Sequence, residues 1–575
     1  MKLVKGAWKL LVGIKDALAL FLLLLFFAGL FAALSARPGN KPIAPGALVL
    51  KLDGAIVEQP ADQDVTASLS GQSVGHQFRL RDVIRAIDAA RADVRVKAIV
   101  LDLDAFGGGY PAAIAEVGDA LRHARDGGKP VLAYATAYTD AGYRLASNAT
   151  EIWLHPLGGT IFAGPGGSQL YYKGLIDKLG ITTHVYRVGR YKSYVEPYIR
   201  ADASPDARAA EGALLNTIFA QWKEGVHRAR PKAQIDAFLA APDKAILATG
   251  GDIAQANLRA GIVDRLGDRT AFGARVAQFA GQDRVKLAGA FDQIRYADWI
   301  AAHPERAGGD AIGVLTVAGD IVDGKAGPGS AAGDTIARAM LDGLANQKLK
   351  ALVVRVDSPG GSVLASERIR LAIIEAKKAK LPVVVSMGGL AASGGYWVST
   401  AGDTIFAEPN TITGSIGIFG IIPTFEKTLA KIGVTADGVK TTPLSGQPDI
   451  YAGTNATFDA MLQADIENGY RQFVGRVAAA RHLTPARVDQ IGQGRVWDGG
   501  TARQLGLVDR FGTLSDAIAE AARRAGLKPD GVHPVYLEKQ PSWLSQLVQG
   551  FGDKDDDQAG GDVFATIAGQ QRGLA

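Results

Sequence analysis

Two long stretches of this chain are copies of each other. Residues 96–108, VKAIVLDLDAFGG, align with residues 349–361, LKALVVRVDSPGG, at an offset of 253. Tyr143 and Tyr396, Pro156 and Pro409, and Leu179-Gly180 and Ile432-Gly433 keep that offset. Further on, AGIVDRLGD (260–268) matches LGLVDRFGT (505–513) at an offset of 245, so each half is a full copy with small insertions. Each copy alternates strand-like and helix-like segments. ALVLKL (47–52) and KAIVLDLD (97–104) frame the helical LRDVIRAIDAARAD, while ALVVRVD (351–357) and PVVVSMG (382–388) frame SERIRLAIIEAKKA. That is β-α-β patterning around a buried parallel sheet. The chain therefore reads as two tandem α/β domains, residues 38–305 and 306–540, meeting at the Gly- and Pro-containing HPERAGGD (303–310). Beyond them, 541–575 is expected to be a mobile acidic tail, with PSWLSQLVQGF as a short amphipathic helix before GDKDDDQAGGD.

Ahead of the repeat lies a different kind of segment. Residues 17–34, ALALFLLLLFFAGLFAAL, carry no charge and include eight leucines and four phenylalanines. As a helix they would reach roughly 27 Å, close to the thickness of a bilayer core. The run exceeds the usual apolar stretch of a cleaved signal peptide, and Leu34-Ser35-Ala36 is a weak cleavage site, so a retained anchor is expected. Residues 1–16 form its basic tip. Lys2, Lys5, Lys9 and Lys15 should hold that end in the cytoplasm and send residue 38 onward across the membrane. These lysines also supply most of the formal net charge of +5, so the folded halves carry no basic nucleic-acid footprint and no nucleic-acid partner is expected.

With no cysteine, the chain cannot use disulfides, thiolate metal sites or a thiol nucleophile. There is no H-E-x-x-H, no phosphate-loop signature, and the eight histidines are scattered, so neither metal nor cofactor is expected. GPGGS (164–168) is read as a turn. Two segments of the second half are richer. SPGG (358–361) follows a strand, where glycines let backbone N–H groups face a ligand. GGLAASGGYW (388–397) follows the next strand and puts Ser393 where a helix should start. Taken alone, such a serine is more often a helix cap, and a lysine more often a solvated surface charge. The difference between the copies argues otherwise. At the same offset Ser393 faces Asp140 and Gly394 faces Ala141, while Lys192 of GRYKSYVEP faces Ser445. Each copy holds what the other lacks, which suggests one composite site per chain.

The motifs DSPGGSV, SMGGLAASGGYW and TGSIGIFG (413–420), with GRYKSYVEPY in the first half, resemble the long, duplicated form of the signal peptide peptidase A family. The resemblance runs from residue 47 to about 525, plus the anchor. It implies a membrane-anchored serine protease with a serine-lysine dyad, built from two ClpP/crotonase-like domains behind a transmembrane helix. By that resemblance Ser393 is the nucleophile, Lys192 the general base and Ser415 the hydroxyl that orients the lysine. Gly361 and Gly394 would supply the oxyanion hole, with Gly360 an alternative to Gly361. It further implies hydrophobic peptide substrates such as signal-peptide remnants, a homo-tetramer, and a bacterial inner membrane location with periplasmic domains. The chemistry is coherent: a lysine serves as base only when neutral, and bringing its pKa from about 10.4 to near 7 costs roughly 4 to 5 kcal/mol of cation stability. Burial against the other half could provide that. The rivals are an acyl-CoA-type enzyme on the same fold and a catalytically silent membrane scaffold.

Overall fold

The computed structural model describes residues 13, 15–29, 42–62, 75–284 and 287–538. The expected tail at 541–575, most of the basic tip and residues 30–34 of the expected anchor lie outside them. Residues 15–29 are helical, with Leu18, Phe21, Leu22 and Phe26 exposed. Among the described residues no helix is long and apolar enough to cross a membrane.

Both halves are α/β. In the first, six parallel strands run in the spatial order Arg265–Leu266, Glu151–Gly159, Val131–Ala137, Val96–Asp102, Gly46–Lys51, Gln293–Arg295. In the second, the path is Val496–Asp498, Ile412–Gly414, Val383–Ala392, Ala351–Ser358, Asp310–Ala318, Val532–Tyr536. Its pairs are parallel except the first, Ile412–Gly414 against Val496–Asp498. The central strands are apolar runs because helices cover both faces. Helix Leu80–Ala92 shows how the pattern works: Leu80, Val83, Ala86, Ile87 and Ala90 recur at three- and four-residue steps and all are buried on the first sheet. In the second half, helix Val363–Lys378, the counterpart of Pro111–Asp126, starts earlier than the apolar pattern suggests. The Ser362 hydroxyl accepts the N–H of Ala365 at 3.2 Å, and Lys377 and Lys378 close the other end where the helix dipole favours cations.

Why Tyr143 and Tyr396 share the repeat is now visible. Each is fully buried and donates its hydroxyl to a carbonyl at 2.8 Å, of Ile262 and Leu507 respectively, two residues that correspond at the offset of 245. They tie the helix that follows the third core strand to the far end of each copy.

Among the contacts that join the halves, three stand out. Strand Thr182–Val188 of the first pairs antiparallel with Ile418–Thr424 of the second, from Val188 opposite Ile418 to Thr182 opposite Thr424. Tyr186 on that ribbon enters the second core and donates to Asp459 at 2.5 Å. Arg355, fully buried in the middle of a core strand, is held by two first-half carboxylates, Glu58 at 2.9 Å and Glu116 at 3.4 Å. Finally, Arg81 donates to both oxygens of Glu538, at 2.8 and 3.1 Å, clamping the end of the second half onto the first.

Candidate active site

Strand Val383–Ala392 ends at Ser393, which sits at φ +52° and ψ −116° immediately before helix Gly394–Ser399. Such a backbone costs on the order of 1 to 3 kcal/mol for a residue with a side chain and persists only when its surroundings hold it. Here they do: the Ser393 N–H donates to the Gly414 carbonyl and its own carbonyl accepts from Trp397, both at 2.9 Å. Glycine is required next, because a Cβ on Gly394 would stand 2.5 Å from Ser366 Oγ. The serine is thus presented on a sharp turn, side chain outward, rather than spent on capping the helix.

The glycine pair after Ala351–Ser358 lies alongside. Gly360 and Gly361 have φ of +104° and +145°, and a Cβ on Gly361 would meet the Ile321 carbonyl at 2.1 Å. The Gly360 N–H donates to Ser358 Oγ at 3.1 Å. Gly361 and Gly394, by contrast, line one cavity with Ser393, whose apolar wall is Val363, Trp397, Ile418 and Phe473.

Lys192 arrives from the first half at the end of the inter-half ribbon. The Tyr191 N–H donates to the Gln493 carbonyl at 2.8 Å, and the lysine's own carbonyl accepts from Arg187 at 3.2 Å. Gly494, at φ +76°, packs so closely that a Cβ there would be 2.7 Å from the lysine backbone N. The side chain, 6% exposed, runs past Gly417 and places Nζ 2.9 Å from Ser415 Oγ, 3.2 Å from Ser393 Oγ and 3.4 Å from the Ser415 carbonyl. Burial pushes the amine down from its usual value to about 8. Burial is the cause of that fall, as the sequence argument expects. Ser415 is itself held at φ +51° by its N–H bond to the Arg495 carbonyl, 2.7 Å. Among the described residues no histidine hydrogen-bonds Ser393.

The structure therefore brings Ser393, Lys192, Ser415, Gly361 and Gly394 together, four from the second half and one from the first. The corresponding place in the first half is closed. The Asp140 carboxylate accepts the N–H groups of Ala163 (3.2 Å) and Gly164 (2.7 Å), counterparts of Ile416 and Gly417. Ser445, the counterpart of Lys192, lies in an exposed turn and accepts the Thr442 N–H at 3.0 Å. Sequence reasoning missed Gly494, Gly417 and Arg187, which bury and hold the lysine. Of these, Gly417 lies inside the motif TGSIGIFG, while Gly494 and Arg187 lie outside the motifs quoted above.

A serine hydroxyl on a strand-to-helix turn, a buried amine in reach of it and two glycines beside it form a set of groups suited to acyl transfer. Comparisons with known proteins agree on the class. The model of peptidase family S49 matches residues 123–283 and 375–528, one stretch in each half. Protease 4 of Salmonella typhi is 39% identical over 558 residues, covering 95% of this chain and 89% of that protein. Protease 4 of Haemophilus influenzae is 37% identical, over 92% and 88%. The chloroplastic serine protease SPPA of Arabidopsis thaliana is 26% identical, over 80% of this chain and 68% of its own. The chain is a serine protease. It belongs to peptidase family S49, in the long, duplicated form that its motifs resemble.

Proposed function

We propose that the chain is a membrane-anchored endopeptidase that cleaves short hydrophobic peptides, such as signal-peptide remnants, through an acyl-enzyme on Ser393. The observation that carries this is the buried Lys192 amine, within hydrogen-bond reach of both Ser393 and Ser415. The neutral amine takes the Ser393 proton as Oγ adds to the scissile carbonyl. The N–H groups of Gly361 and Gly394 receive the developing oxyanion; Gly360 is the weaker alternative because its N–H is engaged by Ser358. The protonated lysine then gives its proton to the leaving amine, and water, deprotonated by the same lysine, releases the acyl group. Ser415 keeps the amine pointed at Ser393. The apolar wall beside the nucleophile suits a hydrophobic substrate side chain. Each half, 38–305 and 306–540, is on this reading a ClpP/crotonase-like unit.

The uncharged run at 17–34, with Leu18, Phe21, Leu22 and Phe26 exposed, supports an anchor in the bacterial inner membrane, tip inside and both halves periplasmic. One experiment tests anchor and nucleophile together. A fluorophosphonate probe added to a membrane fraction should label the chain, and a form lacking residues 1–34 should be labelled in the soluble fraction, in both cases at Ser393. Absence of label in Ser393-containing protein rejects the serine acyl-enzyme; membrane retention of the shortened form rejects the anchor.

The repeat also supports self-association. Ribbon strands Thr182–Val188 and Ile418–Thr424 have counterparts at 435–441 and 165–171. Both of these are largely exposed and form no strand. A neighbouring copy could join 435–441 to 165–171 by the contact that already joins the halves, and repeating it closes a ring, a tetramer on the family resemblance. Light scattering at micromolar concentration should give the tetramer mass; a monomer contradicts it.

A further inference from the structure

The strand leading into the nucleophile carries a bulge. Val356 pairs with Met387 and Ser358 with Ala391, so Gly388, Gly389 and Leu390 all stand opposite the single residue Asp357. The Asp357 side chain fills that bulge. Its carboxylate accepts the N–H of Leu390 at 3.0 Å and is also bonded by the backbone of Gly389, while a Cβ on Gly388 would stand 2.9 Å from Oδ1. Ser393 follows three residues beyond Leu390, and Ser358, which holds the Gly360 N–H, follows Asp357 itself. The carboxylate thus sits where the two chains bearing nucleophile and oxyanion donors part.

The first copy keeps the carboxylate and differs around it. Asp104, at the same offset, accepts the N–H of Thr136, the counterpart of Gly389, and no register shift interrupts the pairing of Val96–Asp102 with Val131–Ala137. There Arg269 pairs with it at 2.5 Å. In the second copy Leu514 stands where the repeat would place that arginine, and Arg355, whose guanidinium faces Asp357, is held by Glu58 and Glu116.

We propose that Asp357 is a positioning residue for the reaction: its ionised carboxylate holds the 388–390 bulge and so sets Ser393 against the amides of Gly361 and Gly394, and its protonation slackens that arrangement. The inference rests on Ser393 being the nucleophile. The groups that face Asp357 are Glu58 and Tyr110 from the first half and Arg355 from its own strand, with Glu116 acting through Arg355. Burial, then Glu58, pushes the carboxyl up to about 6, against Arg355 and the two N–H donors. The site then has two separate requirements: a neutral Lys192 and an ionised Asp357.

The test is the rate constant for fluorophosphonate labelling of the full chain as pH falls from about 9 to about 5, read separately from the amplitude so that lost folded protein does not count as lost rate. Below pH 8 the wild-type rate should drop about tenfold per pH unit, steepening toward a hundredfold per unit below about 6. Asp357→Asn should label about ten- to a hundredfold more slowly at high pH, lack the steepening, and lower kcat with little change in KM. A wild-type slope that stays single through pH 5, or an Asp357→Asn variant with unchanged rate and unchanged steepening, overturns the proposal. No label at any pH would instead reject Ser393 as nucleophile.

Discussion

Lys192→Arg should lower kcat/KM for peptide hydrolysis by about 10³- to 10⁴-fold, as much as Lys192→Ala, because arginine keeps the charge and cannot give up its proton in this pH range. The surroundings reinforce the point. Nζ is in reach of two hydroxyls and a carbonyl, and Gly494 and Gly417 pack against the lysine's backbone and stem. Ser415→Ala should be milder, about ten- to a hundredfold, since its hydroxyl aims the amine and takes no part in bond making. Initial rates on a quenched-fluorescent peptide measure all three. Activity restored by arginine would make Lys192 a structural cation.

The second large effect should be on stability. Arg355→Ala is expected to destabilise the chain by about 3 to 5 kcal/mol, because removing one partner of a buried ion pair leaves the other uncompensated. Here two would be left, Glu58 and Glu116, beside two more half-buried acids. Burial already pushes Asp357 up to about 6 and Glu408 up to about 8. Carboxyls raised in the folded state bind protons more readily than in the unfolded chain, so their burden is small at low pH and grows as pH rises through those values. The loss in Arg355→Ala should therefore be larger at pH 8 than at pH 5. Urea denaturation at the two pH values measures it; a loss below about 1 kcal/mol at both would mean that the two carboxylates reach water.

Much of this was legible in the sequence because it is local or repeated. The apolar runs at 47–52, 97–104 and 351–357 are core strands to within a residue or two, since a strand buried on both faces needs unbroken apolar character. PVVVSMG was read four residues too short, because the bulge at 388–390 carries the strand on to Ala392 in a way that depends on Asp357 from its neighbour. The ribbon of Thr182–Val188 with Ile418–Thr424 was not readable at all. Its partners are more than two hundred residues apart, and their counterparts at 435–441 and 165–171 form no strand, so the repeat predicts nothing there. Arg355 was likewise opaque: a charge in an apolar run makes sense only once Glu58 and Glu116 face it from the other half. For Ser393 the strand, glycines and helix start left a helix cap as the commoner reading, and the difference between the copies and the family motif raised it. Lys192 carries no local sign of burial, and only its family motif and its absence from the second copy singled it out.

The central claim is that one amine, delivered by the first half, activates a serine held by the second. Its most direct measurement is the pH dependence of Ser393 acylation by a fluorophosphonate, in wild type and in Lys192→Arg. The wild-type rate should rise with pH and level off with a midpoint near 8, where burial places the amine. The arginine variant should be slow, with no rise at that midpoint. Equal rates in the two proteins, or a wild-type rate that does not rise through this range, would contradict the account.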